Sequence, residues 1–164
     1  EKFQKKFRSL KIIIENYALG SEKKNLVIKQ LKESSSSTIN KINENSNYFK
    51  KKSFFLTGLK NENFFSEIKI NQIKLTDYIE SNKIQKIDFL KIDTEGYEFY
   101  VLKGLENNIS KVSLIMFEHH YDDMLVKNYT FTDVHNLLIK NNFMQIYKCK
   151  MPFRKTFEYI YVNQ

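Results

Sequence analysis

A short apolar run, a turn rich in carboxylates and a helical repeat follow one another in the middle of the chain. Ile87–Asp93 (IDFLKID) is dominated by large apolar residues, which is typical of a buried strand. Tyr97–Leu105 (YEFYVLKGL) repeats apolar residues at helical spacing and has Gly104 near its end, where helices often stop. A buried strand that leads through a short turn into a helix is the unit from which α/β folds are built.

The remaining apolar patterns continue this alternation of strands and helices. They predict further strands at Lys11–Ile14, Asn25–Leu31, Glu67–Leu75 and Val112–Phe117. They predict helices at Lys2–Leu10, at Asp77–Asn82 with Thr76 as N-cap, and at Thr132–Asn142 with Thr132 as N-cap. A closing antiparallel pair is predicted at Met144–Cys149 and Phe157–Val162. The order indicates one α/β domain over residues 1–164 with a mostly parallel sheet.

The net charge of +8 raises the question of nucleic acid. Of the 27 basic residues, only Arg8 and Arg154 are arginines, whereas proteins that read nucleic acid depend on the planar guanidinium group. Lysine, asparagine and isoleucine have A/T-rich codons, so a biased genome explains the charge, and nucleic acid is not the expected partner. The stretch Tyr48–Phe55 (YFKKKSFF) keeps a basic nucleic-acid-binding module open as an alternative, because its rings could stack on bases.

Cysteine content and hydropathy limit the redox compartment and the class of protein that we expect. Cys149 is the single cysteine, so neither an intramolecular disulfide nor a multi-cysteine metal site can form. No apolar run approaches the ~20 residues that a membrane-spanning helix needs. We therefore expect a protein of a reducing, cytoplasmic setting without a membrane span.

Polar residues follow three of the predicted strands at the point where each strand ends. These segments are Glu15–Gly20, Asp93–Glu98 and Glu118–Asp123. Ligands of open parallel sheets bind beyond the carboxyl ends of the strands, where such segments meet. Their coincidence predicts a functional site at that edge of the sheet.

The segment Asp93–Glu98 (DTEGYE) is the densest of the three. Asp93 ends a buried strand, where a desolvated carboxylate can act as a general base or hold a cation. Gly96 lets the backbone turn closely past a ligand, and Glu95 lies next to it. Glu98 is interpreted as a residue that favours the start of the following helix.

Two of the three histidines cluster after the next strand. His119 and His120 follow Glu118, and imidazole is the side chain best suited to proton transfer near neutral pH. No close metal-binding spacing such as HExxH accompanies them, so we predict no metal site. His135 lies in the last predicted helix and is interpreted as structural.

The segment Ile87–Glu106 resembles the signature of the FkbM-type S-adenosylmethionine-dependent methyltransferases, a strand reading IDFLKIDVEG followed by E-x-x-VLKG. Further segments are similar to that family in the same order: Glu15–Gly20, the serine run that leads into Thr38 and Ile39, Ile68–Ile79 and Val112–Glu118. The resemblance implies a Rossmann-like class I methyltransferase sheet and transfer of a methyl group to a hydroxyl of a sugar, polysaccharide or natural product.

The resemblance also implies roles for individual residues. The cofactor, S-adenosyl-L-methionine, would be bound by Glu1 at the ribose, by Asn16 and Ala18 at the adenine, and by Asp93 near the methyl group. The catalytic base that removes the hydroxyl proton would be Asp93 or His119. The acceptor side would be formed by Glu95, Gly96, Glu118, His119 and His120.

One departure from the family pattern is large. The family begins with a strand and a glycine-rich loop, D-x-G-x-x-x-G, and nothing in this chain matches that loop. We therefore expect an N-terminally truncated domain that lacks its first strand. A non-catalytic α/β remnant or interaction module remains an alternative, and the sequence does not indicate an oligomeric state.

Overall fold

The computed structural model describes residues 11–31, 37–47, 49–51, 65–152 and 154–164. The strands in these ranges are β1 (Ala18–Gly20), β2 (Lys24–Leu31), β3 (Ser37–Thr38), β4 (Lys41–Ile42), β5 (Phe65–Lys74), β6 (Leu90–Ile92), β7 (Leu114–His120), β8 (Leu125–Val126), β9 (Phe143–Lys150) and β10 (Thr156–Asn163). The helices are α1 (Leu75–Ser81), α2 (Glu98–Lys103) and α3 (Phe131–Lys140), with a 3-10 helix at Glu106–Lys111.

The described strands form two four-stranded sheets and one short pair. The first sheet has the order β1-β5-β2-β3, the second β6-β7-β10-β9, and β4 pairs with β8. Within these described sheets, β1–β5 and β6–β7 are parallel and the other neighbours are antiparallel. The predicted antiparallel pair at the end of the chain is confirmed as β9 and β10, and the mixed α/β character is also confirmed.

The sheets of the described residues are mixed, which differs from the expectation of a mostly parallel sheet. The long β2–β5 ladder is antiparallel, and Val27 and Ile68 on it are 43% and 45% exposed. Antiparallel ladders tolerate one face in water, whereas parallel strands are found almost only where both faces are covered. Strands whose side chains remain this exposed therefore fit an antiparallel arrangement.

The hydrophobic core joins the helices to the second sheet. Phe117 of β7 stacks on the rings of Tyr159 and Tyr161 of β10, with centroids 5.5 and 5.8 Å apart. Helix α2 also reaches the first sheet, because a Cβ placed on Gly104 would lie 2.0 Å from the carbonyl oxygen of Gly20. Contact this close requires glycine and holds α2 against β1.

Several predicted boundaries are wrong. Lys11–Ile14 forms no regular structure, and Ile13 and Ile14 are 62% and 64% exposed. Helix α1 begins at Leu75, with Lys74 at the N-cap, so Thr76 is a buried helical residue rather than the cap.

The last helix starts before its predicted cap. Thr130, not Thr132, caps α3, because Asp133 lies three residues on and completes a capping box with it. The Thr130 amide donates to Asp133 Oδ2 at 2.7 Å, and the Asp133 amide donates to Thr130 Oγ1 at 3.3 Å. The predicted helix at Lys2–Leu10 lies outside the described residues.

The strands around the predicted site differ most from expectation. Strand β6 is shorter than Ile87–Asp93, and Ile87 contributes only an isolated bridge to Val112. Strand β7 continues through Glu118 and His119 to His120, three residues that were expected to follow the strand. This extension decides which way each of the three side chains points.

Candidate active site

The turn between β6 and α2 forms the centre of the candidate site. Asp93 directly follows β6, and half of its side chain is exposed. Lys91 Nζ lies 3.5 Å from Asp93 Oδ2, so the carboxylate has a partner of opposite charge. Glu95 and Gly96 have φ angles of 46° and 87°, a backbone region that residues other than glycine rarely adopt. The chain therefore reverses within two residues and leads straight into α2.

A cavity of about 540 Å³ opens beside this turn, between the two four-stranded sheets. Apolar side chains of β1, β2, β5, β6 and α2 line it: Leu19, Ile28, Ile70, Leu90, Ile92 and Val101. Asp93 and Thr94 line it from the turn. The Thr94 hydroxyl is buried and has no hydrogen-bond partner among the residues that the structure describes. The cavity thus offers apolar walls, a carboxylate and a hydroxyl that is left to pair with a ligand.

The residues expected to bind the adenosine part of a cofactor are divided between two places. Ala18 lines the cavity beside Asp93. Asn16 instead lines a second, open cavity of about 600 Å³, together with Asn25 and Asn71. Glu1 lies outside the described residues. The structure therefore brings Ala18 and Asp93 together but separates Asn16 from them.

Carboxylates gather on one face of the second sheet next to Asp93. Ile92 is the register partner of Phe117, so Glu118 comes one position beyond the last paired residues and beside Asp93. Glu158 on β10 is the direct partner of Glu118. Burial raises the pKa of Glu118, and the negative charges of Asp93 and Glu158 add to that effect. A carboxyl group in such surroundings is suited to taking up a proton.

His120 lies beside these carboxylates and is held between Glu95 and Asp122. Its side chain is 6% exposed, with Nε2 3.2 Å from Glu95 Oε2 and Nδ1 3.4 Å from Asp122 Oδ2. Burial alone would lower the pKa of His120, but the close carboxylates of Asp122 and Glu95 outweigh burial and raise it to about 9. The same contact lowers the pKa of Asp122, although burial opposes that shift. His120 therefore carries a positive charge near neutral pH and holds Glu95 in place.

His119 points to the opposite face of β7, because successive residues of a strand alternate. Its side chain is 3% exposed, and Nδ1 lies 2.7 Å from Oε1 of Glu98, which is itself 1% exposed. The rings of Tyr121 and Phe131 pack on the imidazole at 4.9 and 5.7 Å. The structure thus brings Asp93, Glu118 and His120 together but places His119 in a separate, buried pair.

Two residues contact His119 in a way that the sequence does not predict. Glu98 starts α2, as expected of a residue that favours a helix start, but its carboxylate also bonds His119. Its spacing to Val101 and Leu102 places it on the apolar face of the helix, which is a signal of burial that the sequence does contain. Lys127 Nζ lies 3.5 Å from His119 Nε2, and burial lowers the pKa of Lys127. Nothing in the sequence around Lys127 indicates that contact.

Neither a metal site nor a membrane-spanning helix is found in the described part of the chain. Within it, no group of three or more His, Cys, Asp or Glu side chains is arranged to hold a metal ion. Within the same ranges, no helix is both long and apolar enough to cross a membrane.

Comparison with known proteins identifies the family. A family model described as the methyltransferase FkbM domain matches residues 1–144. Searches of curated proteins and of solved structures returned no match. The match covers most of the 164 residues and includes β1, the turn after β6 and the end of β7. The chain therefore belongs to the FkbM methyltransferase family.

Proposed function

We propose that this chain is an S-adenosyl-L-methionine-dependent O-methyltransferase whose acceptor is a hydroxyl of a sugar, polysaccharide or other natural product. The observation that carries the proposal is the cavity between β1 and β6, which Asp93 lines at the end of the strand. Family membership supports methyl transfer in general, and the chemistry of the cavity supports the finer assignment.

The residues around the cavity suit this cofactor. Apolar walls formed by Leu19, Leu90 and Ile92 can cover an adenine ring, and the Thr94 hydroxyl lacks a partner among the described residues. Asp93 and its acidic neighbours favour a positively charged group nearby. Bound there, S-adenosyl-L-methionine would supply a methyl group on a positively charged sulfur.

The protein then has to orient a hydroxyl and remove its proton. Asp93 is the group we assign as general base, because it lines the cavity and half of its side chain is exposed. Glu118 beside it can share or pass on the proton, since burial and nearby charge raise its pKa. His120 is protonated near neutral pH and holds Glu95, and Glu95 and Gly96 shape the acceptor side. We assign His119 to positioning, through its bond with Glu98. Placement of the reacting oxygen supplies most of the acceleration in such reactions.

The charge of the site favours a neutral acceptor over a nucleic acid. Four carboxylates lie around the turn, with protonated His120 among them: Asp93, Glu95, Glu118 and Glu158. Carboxylates repel phosphate groups, whereas they accept hydrogen bonds from hydroxyls. The basic stretch at residues 48–55, which favours the nucleic-acid alternative, lies largely outside the described residues.

The test combines cofactor binding with turnover. Calorimetric titration of the chain with S-adenosyl-L-homocysteine should detect one site. A panel of hydroxylated sugars and natural products, assayed for release of S-adenosyl-L-homocysteine, should then identify an acceptor. Asp93→Asn should lower turnover by about 100-fold or more, since a general base contributes 10²–10⁴-fold.

The matched control is Asp88→Asn, which removes an exposed carboxylate paired with Lys86 at 2.6 Å and should keep full activity. Failure of the cofactor product to bind would contradict the proposal and favour the non-catalytic α/β module. Unchanged turnover in Asp93→Asn would remove Asp93 from the role of base and leave the methyltransferase assignment intact.

A further inference from the structure

The turn after β6 adopts a backbone conformation that its own residues do not favour. Gly96 accepts a φ of 87° at little cost, but Glu95 has a φ of 46°, which is unfavourable for a residue with a Cβ. Such conformations cost on the order of 1–3 kcal/mol and persist only where the surroundings impose them. Something outside the turn therefore holds it.

Two side chains more than 50 residues earlier in the chain supply that restraint. Asn40 Nδ2 donates to the carbonyl oxygen of Gly96 at 2.7 Å and to that of Glu95 at 3.3 Å. Thr38 Oγ1 donates to the Glu95 carbonyl oxygen at 3.1 Å and accepts from the Asn40 amide at 3.1 Å. Both carbonyl groups of the reversed backbone are thus held by this short segment.

Asn40 is fixed from both sides. Before it, Thr38 belongs to β3, which pairs with β2 in the first sheet. After it, β4 pairs with β8, and the Asn43 amide donates to the Met124 carbonyl oxygen at 2.8 Å. The carboxamide is therefore held between two paired strands and acts as a rigid support.

The fit around Gly96 is tight as well. A Cβ placed on Gly96 would lie 2.8 Å from Asn40 Nδ2, 3.1 Å from Leu125 Cδ1 and 3.3 Å from Lys127 Cδ. Leu125 of β8 therefore packs against the turn, beside the Asn40 carboxamide. The Glu95 side chain leaves this turn towards His120 Nε2, 3.2 Å away.

We propose that Asn40 is a positioning residue of the active site, which holds the Glu95–Gly96 backbone so that the Glu95 carboxylate stays against His120. This role rests on the proposed function for its catalytic meaning, but the contact itself is testable without any methyl acceptor. The sequence of the β3–β4 segment does not predict this role.

The experiment replaces Asn40 by an isosteric residue that cannot donate. Asn40→Asp keeps the shape of the side chain and sets a carboxylate oxygen against two carbonyl oxygens. Asn43→Asp is the matched control, because Asn43 Nδ2 donates to the Asp123 carbonyl oxygen at 3.2 Å in the same region but does not touch the turn. The primary readout is the pKa of His120, measured by NMR titration of the imidazole protons.

Release of Glu95 should lower the pKa of His120, which now reflects Glu95, Asp122 and burial together. We expect a shift of about one pH unit in Asn40→Asp and none in Asn43→Asp, since loss of one close carboxylate typically has that effect. Amide hydrogen exchange at Gly96 should also be faster by about tenfold in Asn40→Asp. An unchanged His120 titration in a folded Asn40→Asp protein would overturn the proposal.

Two further arms keep the outcome clear. If Asn40→Asp fails to fold, Thr38→Val is the second variant, because it removes the hydrogen bond to the Glu95 carbonyl oxygen and the one from the Asn40 backbone amide but leaves the Asn40 carboxamide in place. It should give a smaller shift of the same sign, and no shift would overturn the proposal. Binding of S-adenosyl-L-homocysteine to the unmodified chain is measured in parallel. Absence of that binding would contradict the proposed function, whereas the His120 titration would still decide the role of Asn40.

Discussion

The contacts of His120 with Glu95 and Asp122 make the stability of the folded chain depend on pH in a defined direction. The pKa of His120 is about 9 in the folded chain, against an ordinary value of 6.5. Burial opposes protonation, so the rise comes from the close carboxylates of Asp122 and Glu95. This difference corresponds to about 3 kcal/mol of folding free energy, since each pKa unit is worth ~1.4 kcal/mol.

The sign follows from the direction of the shift. Because the folded chain binds the proton more tightly than the unfolded chain, the contribution of His120 is complete below the ordinary pKa of 6.5 and is lost as the pH rises through about 9. His120→Gln should therefore be about 3 kcal/mol less stable than the unmodified protein at acidic pH and should show a much flatter dependence on pH over this window. Lys127, whose pKa burial lowers, titrates with the opposite effect in both proteins and cancels in the comparison.

The measurement is urea unfolding at several values of pH between about 6 and about 9.5, with the free energy taken from linear extrapolation. Glu106→Gln, which removes an exposed partner of Lys74, is the control and should keep the slope of the unmodified protein. Equal slopes for His120→Gln and the unmodified protein would refute the reasoning, because His120 would then not be held as a cation by Glu95 and Asp122.

The other perturbations concern the buried contacts behind the site. Glu98→Gln, which weakens the 2.7 Å bond to His119, should lower the free energy of unfolding by about 2 kcal/mol. Glu106→Gln, at an exposed pair, should cost no more than about 0.5 kcal/mol in the same denaturation assay, and equal losses would contradict the burial argument. Gly104→Ala should lower it by about 3 kcal/mol or more, because the new methyl group would meet the Gly20 carbonyl oxygen at 2.0 Å. A near-normal melting temperature for Gly104→Ala would show that α2 does not need this close approach to β1.

Local sequence patterns predict the elements that depend on local burial. Strands β2 and β5 lie close to their predicted ranges, the pair β9–β10 forms as predicted, and α2 lies within the predicted Tyr97–Leu105. Lys11–Ile14 shows the limit of such patterns. Its apolar residues suit a buried strand, but a strand also needs a neighbour to pair with, and no pairing is found among the described residues.

The site is only partly predictable for a similar reason. Asp93, Glu95 and Gly96 are neighbours along the chain, so their proximity follows from the sequence. The three residues that end β7 are also neighbours, but one extra stretch of strand sends Glu118 and His120 to one face and His119 to the other. An error of three residues in a strand end therefore changes which side chains can act together.

The sequence by itself determines the order of the main strands and helices, the carboxylate-rich turn after β6 and the family to which the chain belongs. Only the tertiary structure decides the mixed direction of the sheets, the partners of His119 and His120, and the support that Asn40 gives to the turn. The physical reason is that periodicity and turn chemistry act over a few residues. Hydrogen bonds between side chains and backbone 55 or 56 residues apart depend instead on how all the elements pack.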